Sequence, residues 1–224
     1  MKMYKKNLKL LEDYQVYSKN MEHDACGVGL VVSTEGKKSR KTVEYGIEAL
    51  KAVWHRGAVD ADGKTGDGAG IHLEIPSDFF TEKIELVGHK HDKSEICVGM
   101  IFLPRNNYIA QENCKTLVEK ELTSSNFTIY GWRQVPVNTK VLGERANFTR
   151  PEITQVLFKH NDKNLFDKDL ERKLYESRRK IEKDAITSHL DGFYICSLSS
   201  KSIIYKGMFL AESISDFYID LKDK

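Results

Sequence analysis

No stretch of this 224-residue chain comes near the roughly 20 consecutive apolar residues that a membrane-spanning helix needs. Nor does one sign of charge dominate. The 35 basic and 33 acidic residues are mixed along the chain and leave a net charge of +2. That balance gives no electrostatic footprint for nucleic acid or for an anionic membrane. Internal repeats, low-complexity tracts and Pro- or Ser-rich linkers are missing too. The lysine-rich start has no uninterrupted apolar core, because Lys9 breaks Leu8, Leu10 and Leu11, and Glu12 and Asp13 stop them. It is therefore not a secretory signal, and Glu12, Asp13, Glu22 and Asp24 make it too acidic for a mitochondrial presequence. The chain reads as cytoplasmic. Its four cysteines, Cys26, Cys97, Cys114 and Cys196, form no C-x-x-C pair, and their wide spacing argues against disulfides and zinc knuckles.

What is present is an ordinary globular composition, 40% hydrophobic and 30% charged, enough to bury a core. Residues 27–33 (GVGLVVS) are expected to form a short buried strand. A helix is expected over 39–54, with Val43, Ile47, Leu50 and Trp54 on one face, Ser39 as N-cap and Gly57 at its end. After a Gly- and Asp-rich loop, a strand over 71–75 should stop at Pro76. The apolar run 96–103 predicts another strand, and 110–123 a helix that buries Cys114, Leu117, Val118 and Leu122. Strands follow at 127–136 and 153–159. A helix over 168–185 carries the stripe Leu170, Leu174, Ile181 and a charged face with Asp169–Lys173 and Glu176–Lys180 pairs. Two last strands, 192–198 and 202–206, flank a turn at 199–201. Hairpin-like strand pairs among helices favour a layered α+β fold over a doubly wound sheet.

Three of the cysteines lie in these apolar elements and read as inert packing groups. Cys26 stands where a polar leader meets an apolar run, in His23-Asp24-Ala25-Cys26-Gly27-Val28-Gly29. Gly27 and Gly29 remove side-chain bulk behind it. If the Ala25–Cys26 bond were cut, one residue would carry both a thiol and a free amine, and the amine could act as the general base. An α-amino group with a pKa of roughly 7.7–8.0 is about a tenth or more free base at neutral pH, whereas an ordinary lysine offers less than about a thousandth. The local sequence fits equally well with a buried structural cysteine.

The stretch CGVGLVV at Cys26, followed by EYGIEALKAVWHRGAVDADGKTGDGAGIHLEIP over 44–76, resembles the start of the large subunits of glutamate synthases. The similarity resumes in SLSSKSIIYKGMFLAESISDF at 197–217. In that family the segment is a class II glutamine amidotransferase domain of the N-terminal-nucleophile type, a four-layer αββα sandwich. The resemblance implies a leader over residues 1–25 and the first part of the amidotransferase domain over 26–224. It implies that Cys26 is the nucleophile that hydrolyses glutamine to glutamate and ammonia. Arg56 matches an arginine that orients the new terminus and favours the thiolate, with Gly27 and Asp67 as further active-site support. The implied partners are L-glutamine, downstream synthase domains that pass ammonia to 2-oxoglutarate, and a small NAD(P)H-oxidising subunit. FMN and an iron–sulfur cluster belong to that downstream region, and no cofactor is expected in this segment. The family's carboxylate-binding arginine, its oxyanion-hole Asn-Gly and its amine-binding aspartate have no counterpart among these 224 residues.

Two other readings stay open. One is a truncated or split-gene product that is inactive alone or completes its domain with another chain. The other is a different class II amidotransferase, for phosphoribosylamine or glucosamine-6-phosphate, which the block HRGAVDADGKTGDGAG speaks against. Gly66-Asp67-Gly68-Ala69-Gly70 fails the spacing of a phosphate-cradling loop and leads into a strand. It is expected to let the chain pass tightly beside the cysteine, with Asp67 paired to a cation. His89, His91 and Asp92 lack a fourth ligand and read as solvated loop, so no metal is expected. His55 reads as a packing residue.

Overall fold

The computed structural model describes residues 2–14, 18, 26–54, 57–90 and 95–222. Helix α1 spans Lys2–Asp13 and α2 spans Arg40–Ala52. Ser39 caps α2 as the sequence predicts, its hydroxyl accepting from the Thr42 N–H at 3.3 Å. The helix stops early, with Val53 as its C-cap. Trp54 therefore leaves the apolar face and is 68% exposed, while Ile47 is buried.

Strand β1 (Ala69–Glu74) runs into Pro76, which does more than end a strand. It occupies the N-cap position of α3 (Ser77–Leu86), which buries Phe80 and Ile84. Then come β2 (Cys97–Leu103), α4 (Tyr108–Ser124), β3 (Phe127–Gln134), the short α5 (Glu144–Thr149) and β4 (Glu152–His160). The chain closes with α6 (Asp167–Thr187), β5 (Tyr194–Ser199), β6 (Ser202–Gly207) and α7 (Ile214–Phe217). All strand pairings are antiparallel. One sheet has the order β3-β4-β2-β5 and the other is the ribbon β1-β6. The fold is α+β, as expected.

Alternation along β2 explains why both faces of the larger sheet are covered. Cys97, Ile101 and Leu103 pack with Cys114, Val118 and Leu122 of α4 and Leu170, Leu174 and Ile181 of α6. Val98 and Met100 point the other way, into a cluster with Ile71 of β1 and Ile203 and Tyr205 of β6. Helix α2 lies on the ribbon, where a Cβ on Gly46 would sit 3.4 Å from Ile71 Cδ1.

Strands β5 and β6 do not pair as a hairpin, although two residues separate them. The chain crosses from one sheet to the other at Ser200 and Lys201. Glu171 of α6 fixes that crossing by accepting from Ser199 Oγ, Ser200 N and Ser200 Oγ at 2.7–2.9 Å. On α6 the charges pair differently from the sequence expectation. Arg172 meets Glu176 at 3.4 Å and Lys180 reaches across to Glu121 of α4, also at 3.4 Å.

The expected strand over residues 27–33 is absent. Val28, Leu30 and Val32 are 87%, 86% and 67% exposed, with Gly27, Val31 and Ser33 half-buried. A strand exists only through its pairing partners, and among the described residues none lies beside this segment. It comes close to α2 at Gly29, where a Cβ would lie 3.5 Å from Ala49 Cβ. Among the described residues no helix is long and apolar enough to cross a membrane.

Candidate active site

The four thiols fall into two environments. Cys97 and Cys114 are fully buried in the helix-covered core and Cys196 is nearly so on the other face. Burial pushes the thiols of Cys114 and Cys196 up to about 11, and that of Cys97 higher still, with the charges of Glu171 and Glu95 adding to desolvation. Cys26 is exposed and free. Among the described residues no hydrogen bond or ion pair reaches it, and Gly27 beside it carries no side chain to crowd it. His55 and Arg56 lie outside the described residues, as do His91 and Asp92. His89 stacks edge-on against Tyr130, with centroids 5.8 Å apart.

The loop that carries the block over 55–70 is held internally. An isolated bridge joins Val59 to Gly66, and the Asp67 N–H donates to Ala58 O at 3.3 Å. Asp62 is its hub. The carboxylate accepts from Lys64 N, Thr65 N and Thr65 Oγ1 at 2.6–2.9 Å, and these bonds lower its pKa from 3.8 to about 2. Asp67 is exposed, and its Oδ1 would lie 3.3 Å from a Cβ on Gly57. Among the described residues no cation pairs with it. The tight passage that the glycines permit runs along the second strand of the ribbon. A Cβ on Gly66 would meet Phe209 O at 2.6 Å, and one on Gly70 would meet Lys206 Cβ at 2.9 Å.

The same loop braces α5. The buried Thr65 hydroxyl accepts from Ala146 N at 3.4 Å, Arg145 pairs with Asp60 at 3.2 Å, and Gly143 packs bare against Asp62 and Thr65. Between α5 and the ribbon opens a cavity of about 560 Å³. Its walls include Phe102, Ile153, Ile204, Phe209 and Phe217, with Arg150 at the end of α5. The Arg150 Nε is buried without a hydrogen-bond partner. Desolvation, then the neighbouring charge of Arg105, lower its pKa, while Glu152 acts the other way. Nothing in the sequence singles Arg150 out from the other basic residues, since its setting arises only when α5 meets β6.

Residues 26–224 match the family model for class-II glutamine amidotransferases, and the chain belongs to that family. Among named relatives it is 52% identical over 221 residues to the glutamate synthase [NADPH] large chain of Azospirillum brasilense, covering 99% of this chain. The glutamate synthase [NADPH] large chain of Bacillus subtilis is 35% identical over 93% of the chain. The chloroplastic ferredoxin-dependent glutamate synthase of Oryza sativa is 38% identical over 91% of it. These matches span only 14%, 14% and 13% of the respective relatives' lengths.

Proposed function

We propose that this chain carries the glutamine-hydrolysing centre of a glutamate synthase, with Cys26 as nucleophile once residues 1–25 are removed. The observation that carries this reading is the setting of the thiols. Cys26 alone is exposed, and it stands at the first residue of the family match. Release of the Cys26 amine places a base beside the thiol. The amine takes the thiol proton, the sulfur attacks the side-chain amide carbon of glutamine, and the C–N bond breaks as that proton passes to the leaving ammonia. Water then cleaves the thioester, so glutamine and water become glutamate and ammonia.

Arg56 is assigned to steadying the thiolate and the new terminus. Asp67, whose carboxylate abuts Gly57, the residue after Arg56, supplies the counter-charge in the same loop. Gly27 keeps the approach to the sulfur clear. The order of packing, helices α4 and α6 on the larger sheet, the ribbon on its other face and α2 on the ribbon, supports reading the fold as part of an αββα sandwich of the N-terminal-nucleophile type.

By the same reading, ammonia passes to 2-oxoglutarate in synthase domains that use FMN and an iron–sulfur cluster, with electrons from a small NAD(P)H-oxidising subunit. The residues described here do not fit those groups. Thiolate ligation of iron needs converging cysteines, and among the described residues no three His, Cys, Asp or Glu side chains converge. The space beside Gly66 and Gly70 is filled by Phe209 and Lys206, which leaves no phosphate cradle.

The test is Cys26→Ala in a glutamate synthase chain that carries these residues. It should abolish glutamine-dependent glutamate formation and preserve ammonia-dependent synthesis, because ammonia bypasses the thioester. Intact-mass measurement should give Cys26 as the first residue. An active enzyme that retains residues 1–25 would overturn the reading, and so would loss of glutaminase in Cys114→Ala but not in Cys26→Ala.

A further inference from the structure

We propose that Thr65 is a positioning residue for glutamine hydrolysis, which pins the tip of the Gly- and Asp-rich loop to α5 and so fixes the loop's base, Gly57 and Asp67, for the reaction. The inference rests on the assignment of Arg56 and Asp67 to the support of the nucleophile.

The loop is a closed hairpin. The Asp67 N–H donates to Ala58 O, Val59 bridges Gly66, and the Asp60 N–H donates to Thr65 O at 2.9 Å. Gly63 turns the chain at a left-handed φ of 69°. Gly57 and Asp67 therefore stand across from each other at the base, and Asp62 and Thr65 form the tip. A hairpin tied along its length moves as a unit, so what holds the tip also sets the base.

The tip is anchored on α5. The Thr65 side chain, 2% exposed, donates to Asp62 Oδ2 at 2.6 Å and accepts from the buried Ala146 N–H at 3.4 Å. The Arg145 N–H acts on the Asp62 carboxylate as well. Gly143, the N-cap of α5, has no side chain to offer its own helix, so the loop caps the first turn in its place. Gly143 also shows that the contact is built for closeness. Its φ of −71° suits any residue, but a Cβ there would overlap Asp62 Oδ2 and Thr65 Oγ1. The anchor, not the backbone, requires the glycine. The charges around the tip are Lys64, Asp60 and Arg145, and the last two pair at 3.2 Å. The Asp62 carboxyl is held down at about 2, so it stays ionised near neutral pH.

A displaced base carries Arg56 with it, since that residue directly precedes Gly57. A cation moved away from Cys26 raises the pKa of both its thiol and its amine, so hydrolysis then needs a higher pH.

The experiment compares variants of a full-length glutamate synthase chain that carries these residues. Thr65→Val keeps the side chain's shape and removes the hydroxyl. The acid limb of its glutamine-dependent kcat/KM should move up by about one unit, equivalent to roughly tenfold at low pH and closing as pH rises. Ammonia-dependent synthesis should match the parent. Thr65→Ser keeps the hydroxyl and should restore the parent profile. Gly143→Ala wedges the same contact from the α5 side, should shift the limb likewise, and decides the matter if Thr65→Val fails to fold. Thr149→Ala, at the other end of α5, should leave the profile in place. Four results would overturn the proposal: an unmoved limb with activity reduced equally at every pH, an equal loss of ammonia-dependent synthesis, an unshifted Gly143→Ala, or a shift in Thr149→Ala as large as that in Thr65→Val. An inactive Cys26→Ala beside a fully active Thr65→Val would sink this proposal and leave the catalytic one standing. An active Cys26→Ala beside a shifted Thr65→Val would remove the nucleophile assignment and keep the anchor.

Discussion

Cys26 and Cys196 carry the same thiol in opposite settings, and that contrast is measurable without substrate. A thiol pushed to about 11 is ionised to only about a thousandth at pH 8, and the burial that raises it also blocks reagents. In the native chain one thiol should react promptly with iodoacetamide, and peptide mapping should place it at Cys26. Cys97, Cys114 and Cys196 should react only on unfolding. Fast labelling of Cys196 in the folded protein would contradict its buried position on β5. A second test concerns Asp62. Its carboxyl is depressed from 3.8 to about 2, so the stability it contributes is present above about pH 4 and is lost as pH falls towards 2. Asp62→Asn should melt below the parent at pH 6, and the gap should close between pH 4 and 2. A gap independent of pH would assign the loss to packing instead. The burial of Cys97, Cys114 and Cys196 was legible because each lies in an apolar element. Arg150 was not, because burial beside a cavity is a property of assembled elements.

Among elements, the closing segment is tied to β3 by a buried ion pair. Arg133 of β3 donates to both carboxylate oxygens of Asp220 at 2.6 and 2.8 Å, and also to Gln155 Oε1 at 2.7 Å. Tyr205 OH completes the cluster, at 3.4 Å from Asp220 and 3.3 Å from the Gln155 amide that donates to it. The paired side chains are 16% and 6% exposed, so removing one leaves the other charge desolvated. Asp220→Ala should cost about 3–5 kcal/mol of unfolding free energy in urea titration. A cost below about 1 kcal/mol would mean that water replaces the lost partner. The long helices were readable because their apolar residues repeat at 3.6, and β2 because it is a short continuous apolar run buried on both faces. Helix α5, at six residues, is too short to show a period. Helix α3 was hidden because Pro76 ends a strand and begins a helix equally well. The apolar run 27–33 misled for the opposite reason, since it has the composition of a strand but no described neighbour to pair with.

At the scale of the whole molecule, these 224 residues on their own should hydrolyse glutamine little or not at all. By the resemblance, the carboxylate-binding arginine and the oxyanion donors are not among these residues, so glutamine lacks a charge-assisted contact and each absent donor lowers the rate by on the order of 10²–10³. Glutamate release measured against a Cys26→Ala control checks this. Turnover on the order of 1–10³ per second would mean that residues within this chain supply those roles. The α+β class was visible in the order of elements. The division of strands between two sheets was not, because β5 and β6 look like a hairpin until Glu171 is seen gripping the step between them.

The register of the ribbon also sets a timetable for synthesis. The larger sheet uses only residues between Cys97 and Ser199 and can close on itself as they emerge. Strand β1 is made before all of them, yet its partner comes last, because Gly70 aligns with Lys206. At about 5–20 residues per second, the Gly-rich loop and β1 wait on the order of ten seconds on the ribosome for the strand that holds them. Through that interval the nascent chain carries an unpaired strand ahead of a sheet still being made, and a ribosome that stalls before Lys206 leaves it bare.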